Sequence, residues 1–204
     1  PIMMCKMTGT FDSKKNLTGL HMRLSGQSIL TSVRPAVVAQ NKGMDPLVFQ
    51  GVAKGGEHGI SYDFPNLTID HAMRNTHVPP GFWRGVNINQ NAVFMECFMD
   101  ECAKAAGKDP VQFRQAVMQS HPKHLGVLNA AAKKANWDKP LPAGTYRGVA
   151  QFMGYASYSA CVAEVSVKNN VVNIGRLVFA LNCGHVVNPY LTREQIEGSV
   201  AMAL

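Results

Sequence analysis

The sequence predicts an α+β fold, a mixed sheet with packed helices, and three observations predict it. Period-two alternation runs through residues near the N-terminus (Met3, Cys5, Met7, then Leu20, Met22, Leu24) and again from Tyr146 to Leu181. Between them, from about Asn91 to Asn136, apolar residues recur at helical spacing. Strands and helices come in separate runs rather than in alternation, with no internal repeat. Composition agrees. The chain has 204 residues, 46% of them hydrophobic and 16% charged, enough apolar side chain for a real core, which excludes global disorder. No run approaches the roughly 18 apolar residues a spanning helix needs.

The elements come in this order. The turn-rich Asp12-Ser13-Lys14-Lys15-Asn16 joins two alternating runs into a β-hairpin within residues 3–29. The stretch from Thr31 to Gly59 is punctuated by Gly and Pro and carries no firm assignment. Asn66 to Met73 reads as a strand with Leu67 and Ile69 on one face. A Pro/Gly loop, His77 to Asn87, leads into a helix with the stripe Phe94, Phe98, Cys102 and Ala105, stopped by Gly107. Asp109-Pro110-Val111-Gln112 restarts a helix, with Asp as N-cap, Pro at N1 and Gln at N3. A third helix runs from Pro122 to about Asn136 with Leu125, Leu128 and Ala132 inward. After the linker 138–144 come strands at Tyr146–Phe152, Ser159–Val167 and Val171–Leu181, the last two joined by the short turn Lys168-Asn169-Asn170. A final helix opens near Leu191. The division is into a strand-rich part (1–88), a helical part (89–145) and strands with a final helix (146–204). The helices at 91–106 and 109–119 are expected to pack on the sheet formed by 146–181.

Net charge is +7, from 20 Lys and Arg against 13 Asp and Glu. The basic residues are scattered and no stripe interleaves with aromatics, so a solvated surface is preferred to nucleic-acid binding. The five cysteines have no metal spacing and read as buried free thiols. His121-Pro122-Lys123-His124 has H-x-x-H spacing but reads as a solvated helix start. Asp100 and Glu101 are adjacent and point apart on a helix. Cys183 beside His185 shares a face only if the strand persists there. No metal ligand set and no catalytic residue is assigned within the chain.

Two stretches carry candidate chemistry. In Gly81-Phe82-Trp83-Arg84-Gly85-Val86-Asn87, glycines allow close backbone approach and an Arg supplies a forked charge for oxygen-rich ligands. In Gln195-Ile196-Glu197-Gly198, after the loop from Asn182 to Pro189, a Gln that both donates and accepts suits the edge of a heterocycle. Taken by themselves, both stretches also fit structural roles.

Joined with their neighbouring segments, these stretches resemble the molybdopterin-binding large subunit of molybdenum hydroxylases, the xanthine dehydrogenase/aldehyde oxidase family, in particular the isoquinoline 1-oxidoreductase β-subunit type. The matching text is Val78-Pro79-Pro80-Gly81-Phe82-Trp83-Arg84-Gly85-Val86, residues 91–101, Ala106-Gly107-Lys108-Asp109-Pro110, Tyr146-Arg147-Gly148-Val149-Ala150, residues 162–167, residues 182–189 and Gln195-Ile196-Glu197-Gly198. Order and spacing hold from roughly Tyr62 to the C-terminus.

The resemblance implies hydroxylation of an aldehyde or N-heterocycle carbon with water as the oxygen source. The chemistry would lie at a molybdenum held by molybdopterin cytosine dinucleotide, with electrons leaving through 2Fe-2S clusters on a small iron–sulfur partner subunit and onward transfer to a cytochrome c as an option. It implies cofactor contacts from Trp83, Arg84, Gly85 and Gln195, and places Val86 and Asn87 beside the substrate. The family's catalytic Glu lies in a segment with no counterpart here, and Glu197 matches a structural position. Both ends read as the middle of elements, so the expectation is an internal fragment, inactive by itself, with apolar patches exposed. The other reading is a non-catalytic binding or assembly module that retains the fold. Compartment, periplasm or cytoplasm, stays open.

Overall fold

The computed structural model describes residues 1–53 and 59–204. Two three-stranded sheets are joined by helices over one core. β1 (Met3–Phe11) and β2 (Leu17–Gly26) form the expected antiparallel hairpin. Its turn is held by Asp12, whose carboxylate accepts from the backbone N–H groups of Lys14 and Asn16. β3 (Asn66–Met73) lies parallel to β2, with Met22 level with Ile69. A parallel pair requires a crossover, and the unassigned stretch supplies it with two short helices, α1 (Ile29–Val33) and α2 (Pro35–Gln40), and a 3₁₀ turn at Pro46–Phe49. Residues 54–58 of that stretch lie outside the described residues. The sequence hides these helices because each is under two turns, too short to show a period.

α3 (Ile88–Ala106), α4 (Pro110–Ala116) and α5 (Pro122–Ala135) form the helical block. Gly107 ends α3 in the left-handed region, φ 67°, and its N–H reaches the carbonyls of Ala103 and Lys104. Asp109 caps α4 through the N–H groups of Val111 and Gln112, and its second oxygen accepts from the Trp137 indole at 2.8 Å. β4 (Thr145–Gly154), β5 (Ser157–Lys168) and β6 (Val171–Asn182) make an antiparallel meander, followed by α6 (Pro189–Ala203).

Packing corrects three expectations. The inward face of α3 is Met95, Met99, Cys102 and Ala106, so of the predicted stripe Cys102 points inward as expected, while Phe94 and Phe98 are half-buried and Ala105 is exposed. The two phenylalanines are drawn aside towards β1, where Phe98 approaches Gly9. α5, not α3 and α4 together, covers the second sheet, while α3 lies between β1 and β4 and α4 bridges α3 and α5. On α5, Leu128 and Ala132 point inward as expected, but Leu125 is only partly covered. Fully buried Met22, Leu24, Met95, Met99 and Leu128 each contribute about 1.5–3 kcal/mol of transfer free energy.

α6 differs from every other long helix, because none of its residues is buried. Tyr190, Leu191 and Met202 on α6, and Val171, Val172, Ile174, Phe179 and Leu181 on β6, are exposed. These are apolar surfaces of the kind the sequence leads one to expect. Among the described residues no helix is long and apolar enough to cross a membrane.

Candidate functional site

The loop before α3 is a tight turn built on Gly85. Val86 donates its N–H to the Trp83 carbonyl at 2.8 Å, Ile88 donates to the Gly85 carbonyl at 3.0 Å, and the Asn89 amide donates to the Arg84 carbonyl at 2.7 Å. Gly85 has φ +87°, and a Cβ there would collide with the Asn89 side chain, so the position needs glycine on two counts. The next residue is Val86 at φ +50°, a β-branched side chain in the left-handed region, which is a backbone outlier.

Asn87 anchors this loop. It is fully buried, its amide donates to the Leu47 carbonyl at 3.0 Å, and its own N–H is held by Gln50. Asn91, one turn on, donates to the carbonyls of Val48 and Gln50. The crossover therefore clamps the start of α3. Asn87, expected beside a substrate, is instead turned into the protein, where its amide adds a second donor to the Leu47 carbonyl, which already accepts the Gln50 N–H of the 3₁₀ turn. Val86 is half-buried in the turn. Neither residue lines the nearby hollow.

That hollow, about 710 Å³, is lined by Trp83, Arg84 and Gly85, by the first turns of α3, by the β4–β5 turn and by Ser199 and Met202 of α6. Its volume is in the range of small-molecule sites, roughly 300–1,000 Å³. Arg84 is exposed, and its Nη2 donates to the Gln195 Oε1 at 3.1 Å while Nη1 lies 3.9 Å from the Met202 sulfur. The two candidate stretches, 111 residues apart, thus meet. Gln195 touches the hollow through Arg84 and does not line it. No carboxylate among the described residues pairs with Arg84. A guanidinium with most of its N–H groups uncommitted, beside an apolar hollow, fits a flat ligand with oxygen acceptors on its edge.

The helical block holds a second polar cluster, buried at Arg114 and Glu96 and reaching solvent at Asp100, that sequence reasoning missed. Arg114 Nε donates to Glu96 Oε2 at 3.0 Å, Nη2 donates to the Glu96 carbonyl at 2.9 Å, and Nη1 reaches Asp100 at 2.7 Å. Tyr62 donates to Glu96 Oε1 at 2.6 Å, and the Gln151 backbone N–H to Oε2 at 2.9 Å. Burial pushes the Glu96 carboxyl up, and Arg114, Tyr62 and Gln151 act against it. Burial works to lower Arg114, but Tyr62, Glu96 and Asp100 outweigh it and keep the guanidinium charged. The only signal in the sequence is a Glu and an Arg placed on otherwise inward helix faces.

The remaining candidates take structural places. His124 is buried, with Nδ1 2.7 Å from Gln151 Oε1 and its ring edge-on to Tyr158 at 4.8 Å, so the solvated helix start expected there is corrected. His121 pairs with Asp63 at 3.3 Å. Among the described residues no His, Cys, Asp or Glu group could hold a metal ion. β6 ends at Asn182, so Cys183 and His185 lie in a loop with no strand face to share. The cysteines are free, but of the five only Cys102 is buried and Cys97 is exposed. Burial pushes the thiols of Cys5, Cys102 and Cys161 to about 11, which leaves them poorly nucleophilic.

Comparison with known proteins gives two family matches, each described as a molybdopterin cofactor-binding domain, one over residues 84–204 and the other over residues 37–118. The isoquinoline 1-oxidoreductase β-subunit of Brevundimonas diminuta is 28% identical over 151 residues, 71% of this chain and 19% of its own length. The membrane-bound aldehyde dehydrogenase [pyrroloquinoline-quinone] of Gluconacetobacter polyoxogenes is 30% identical over 186 residues, 80% of this chain and 24% of its own. A nicotinate dehydrogenase subunit of Pseudomonas putida is 28% identical over 158 residues, covering 68% of this chain and 13% of its own. This chain therefore spans a quarter or less of each of these relatives. Among solved structures, quinoline 2-oxidoreductase of Pseudomonas putida 86 aligns with a TM-score of 0.47 at 14% identity, covering 79% of this chain and 22% of that one. Aldehyde oxidoreductase of Desulfovibrio gigas aligns with a TM-score of 0.44 at 16% identity, covering 84% and 20%.

Proposed function

Because this chain belongs to the molybdopterin cofactor-binding domain family, we propose that its hollow beside Arg84 receives part of a molybdopterin. The chain then works as part of a molybdenum-dependent oxidoreductase that hydroxylates an aldehyde or N-heterocycle carbon with water as the oxygen source. The observation that carries this reading is the Arg84–Gln195 contact at the edge of an apolar hollow. Arg84 supplies forked N–H donors to ring or phosphate oxygens, and Gln195 holds that fork in place from behind. Gly85 lets the backbone come close, and Trp83 gives an exposed aromatic face. The bound molybdenum would supply the oxygen-transfer and redox chemistry. The chain's own work is to bind, orient and exclude water.

Two of the relatives are named as subunits, and in keeping with that we propose a small iron–sulfur partner that carries 2Fe-2S clusters, with a cytochrome c as a further acceptor. The cytosine dinucleotide is the proposed form of the cofactor. The parts 1–88, 89–145 and 146–204 act as one cofactor-binding unit, since the first and last both supply walls of the hollow.

The test is titration of the chain with 6-carboxypterin, followed by quenching of tryptophan fluorescence. Arg84→Ala is expected to weaken binding about tenfold or more, the value of a charge-assisted hydrogen bond, and Gln195→Ala to weaken it less. Unchanged affinity in Arg84→Ala, or no binding to the unmodified chain, rejects the reading.

A further inference from the structure

Two hairpins of the second sheet turn through the same left-handed pair of residues. Between β5 and β6 the pair is Asn169 at φ 52° and Asn170 at φ 61°; between β4 and β5 it is Tyr155 at φ 51° and Ala156 at φ 62°. Such turns favour Asn and Gly, because Gly has no Cβ to clash and the short polar side chain of Asn bonds locally. The β5–β6 turn obeys this rule and the β4–β5 turn breaks it at both positions. Core packing does not account for the exception, since Tyr155 is 67% exposed and Ala156 is exposed as well.

Position separates the two turns. Tyr155 lines the hollow of Trp83 and Arg84, and also the smaller adjoining one beside Gln50 and Gly51. Asn169 and Asn170 line neither. Val86, another non-glycine residue in the left-handed region, sits in the loop that borders the same hollow. Backbone strain with no local compensation gathers where a side chain is held for a ligand.

We infer that Tyr155 is a ligand-contact residue whose ring meets the face of a flat, uncharged heteroaromatic molecule in the hollow, and that the β4–β5 turn is kept in a strained conformation to present it. The inference rests on the reading of this hollow as the working site of a molybdopterin domain, and it adds a contact residue that favours the ring over the aldehyde. The lining favours a flat ring over an aliphatic chain. Trp83 and Tyr155 expose aromatic surface there, and Phe152, Met153 and Met202 complete an apolar wall. Offset stacking and sulfur–ring contacts reward aromatic guests beyond the area they bury.

The experiment uses quinazoline as the probe, with affinity read by ligand-observed NMR on the full chain and melting temperature by circular dichroism. The double change Tyr155→Asn with Ala156→Gly gives the turn its favoured residues. It is expected to raise the melting temperature by about 2–4 °C and to weaken quinazoline about tenfold. Tyr155→Phe should retain affinity and Tyr155→Leu should lose it. The inference is overturned if the double change leaves quinazoline affinity within about twofold, if it lowers the melting temperature, or if the unmodified chain does not take up quinazoline. Should 6-carboxypterin fail to bind while quinazoline binds through Tyr155, the pterin reading falls and the ring contact stands. Pterin binding that depends on Arg84, together with quinazoline indifferent to Tyr155, keeps the pterin reading and overturns the ring contact.

Discussion

Arg84 and Arg114 are the same residue in opposite circumstances. Arg114 has no exposed side-chain surface and commits its donors to Glu96, Asp100 and the Pro110 carbonyl, tying α4 to α3. Arg84 lies in the open with one amide partner and a thioether beside it. A buried charge must be met on every side, because water is not there to solvate what the protein leaves unpaired. An exposed one can keep donors vacant, and vacant donors are what a ligand needs. Burial and saturation, rather than residue type, separate the arginine that builds this fold from the one placed to serve it.

The largest test of that contrast removes one partner from each arginine. Glu96→Ala leaves the buried Nε of Arg114 without its partner, with Asp100 the remaining carboxylate, and is expected to cost about 3 kcal/mol in chemical denaturation. Gln195→Ala should change stability by less than about 0.5 kcal/mol. Similar losses for the two would dissolve the distinction. Next in size, Tyr62→Phe deletes one neutral donor to Glu96 and leaves the Gln151 amide 3.3 Å from the same oxygen. Its expected cost is about 1–2 kcal/mol in the same assay.

His71 supplies the intermediate case and the smallest effect. It is half-buried, and that burial holds its pKa below the ordinary 6.5 while the Gly26 carbonyl pulls the other way. Just below pH 6.5 the unfolded chain therefore binds more protons than the folded one. The contribution is complete above that pH and is lost as pH falls towards the lowered folded value. Melting curves between about pH 7.5 and 5.5 should show a slope that shrinks in His71→Phe; an unaltered slope would mean the imidazole is as well solvated folded as unfolded.

Much of this is legible in the sequence because it is local. The hairpin at 3–26, the Asp109 cap, the Gly107 stop and the Asn169-Asn170 turn are written in residues a few positions apart, and the chain obeys them. The inward face of α3 is harder to read, since Phe94 looks like core by size and only the approach of β1 shows that Met95 takes that place. His124 reads as surface because it follows Pro122 and Lys123, and its partner Gln151 lies 27 residues away on β4. Tyr155 carries a readable signal, a two-residue turn lacking both Asn and Gly, but its meaning depends on the hollow beside it.

Short-range spacing and ordered blocks of matching text are enough to set the α+β class, the caps and turns, and the family. Packing had to decide which arginine is saturated and which stays available, that Asn87 serves as an anchor, and that Arg84 and Gln195 touch across 111 residues. Solvation and pairing belong to a side chain's surroundings in three dimensions, and those surroundings exist only once distant segments have come together.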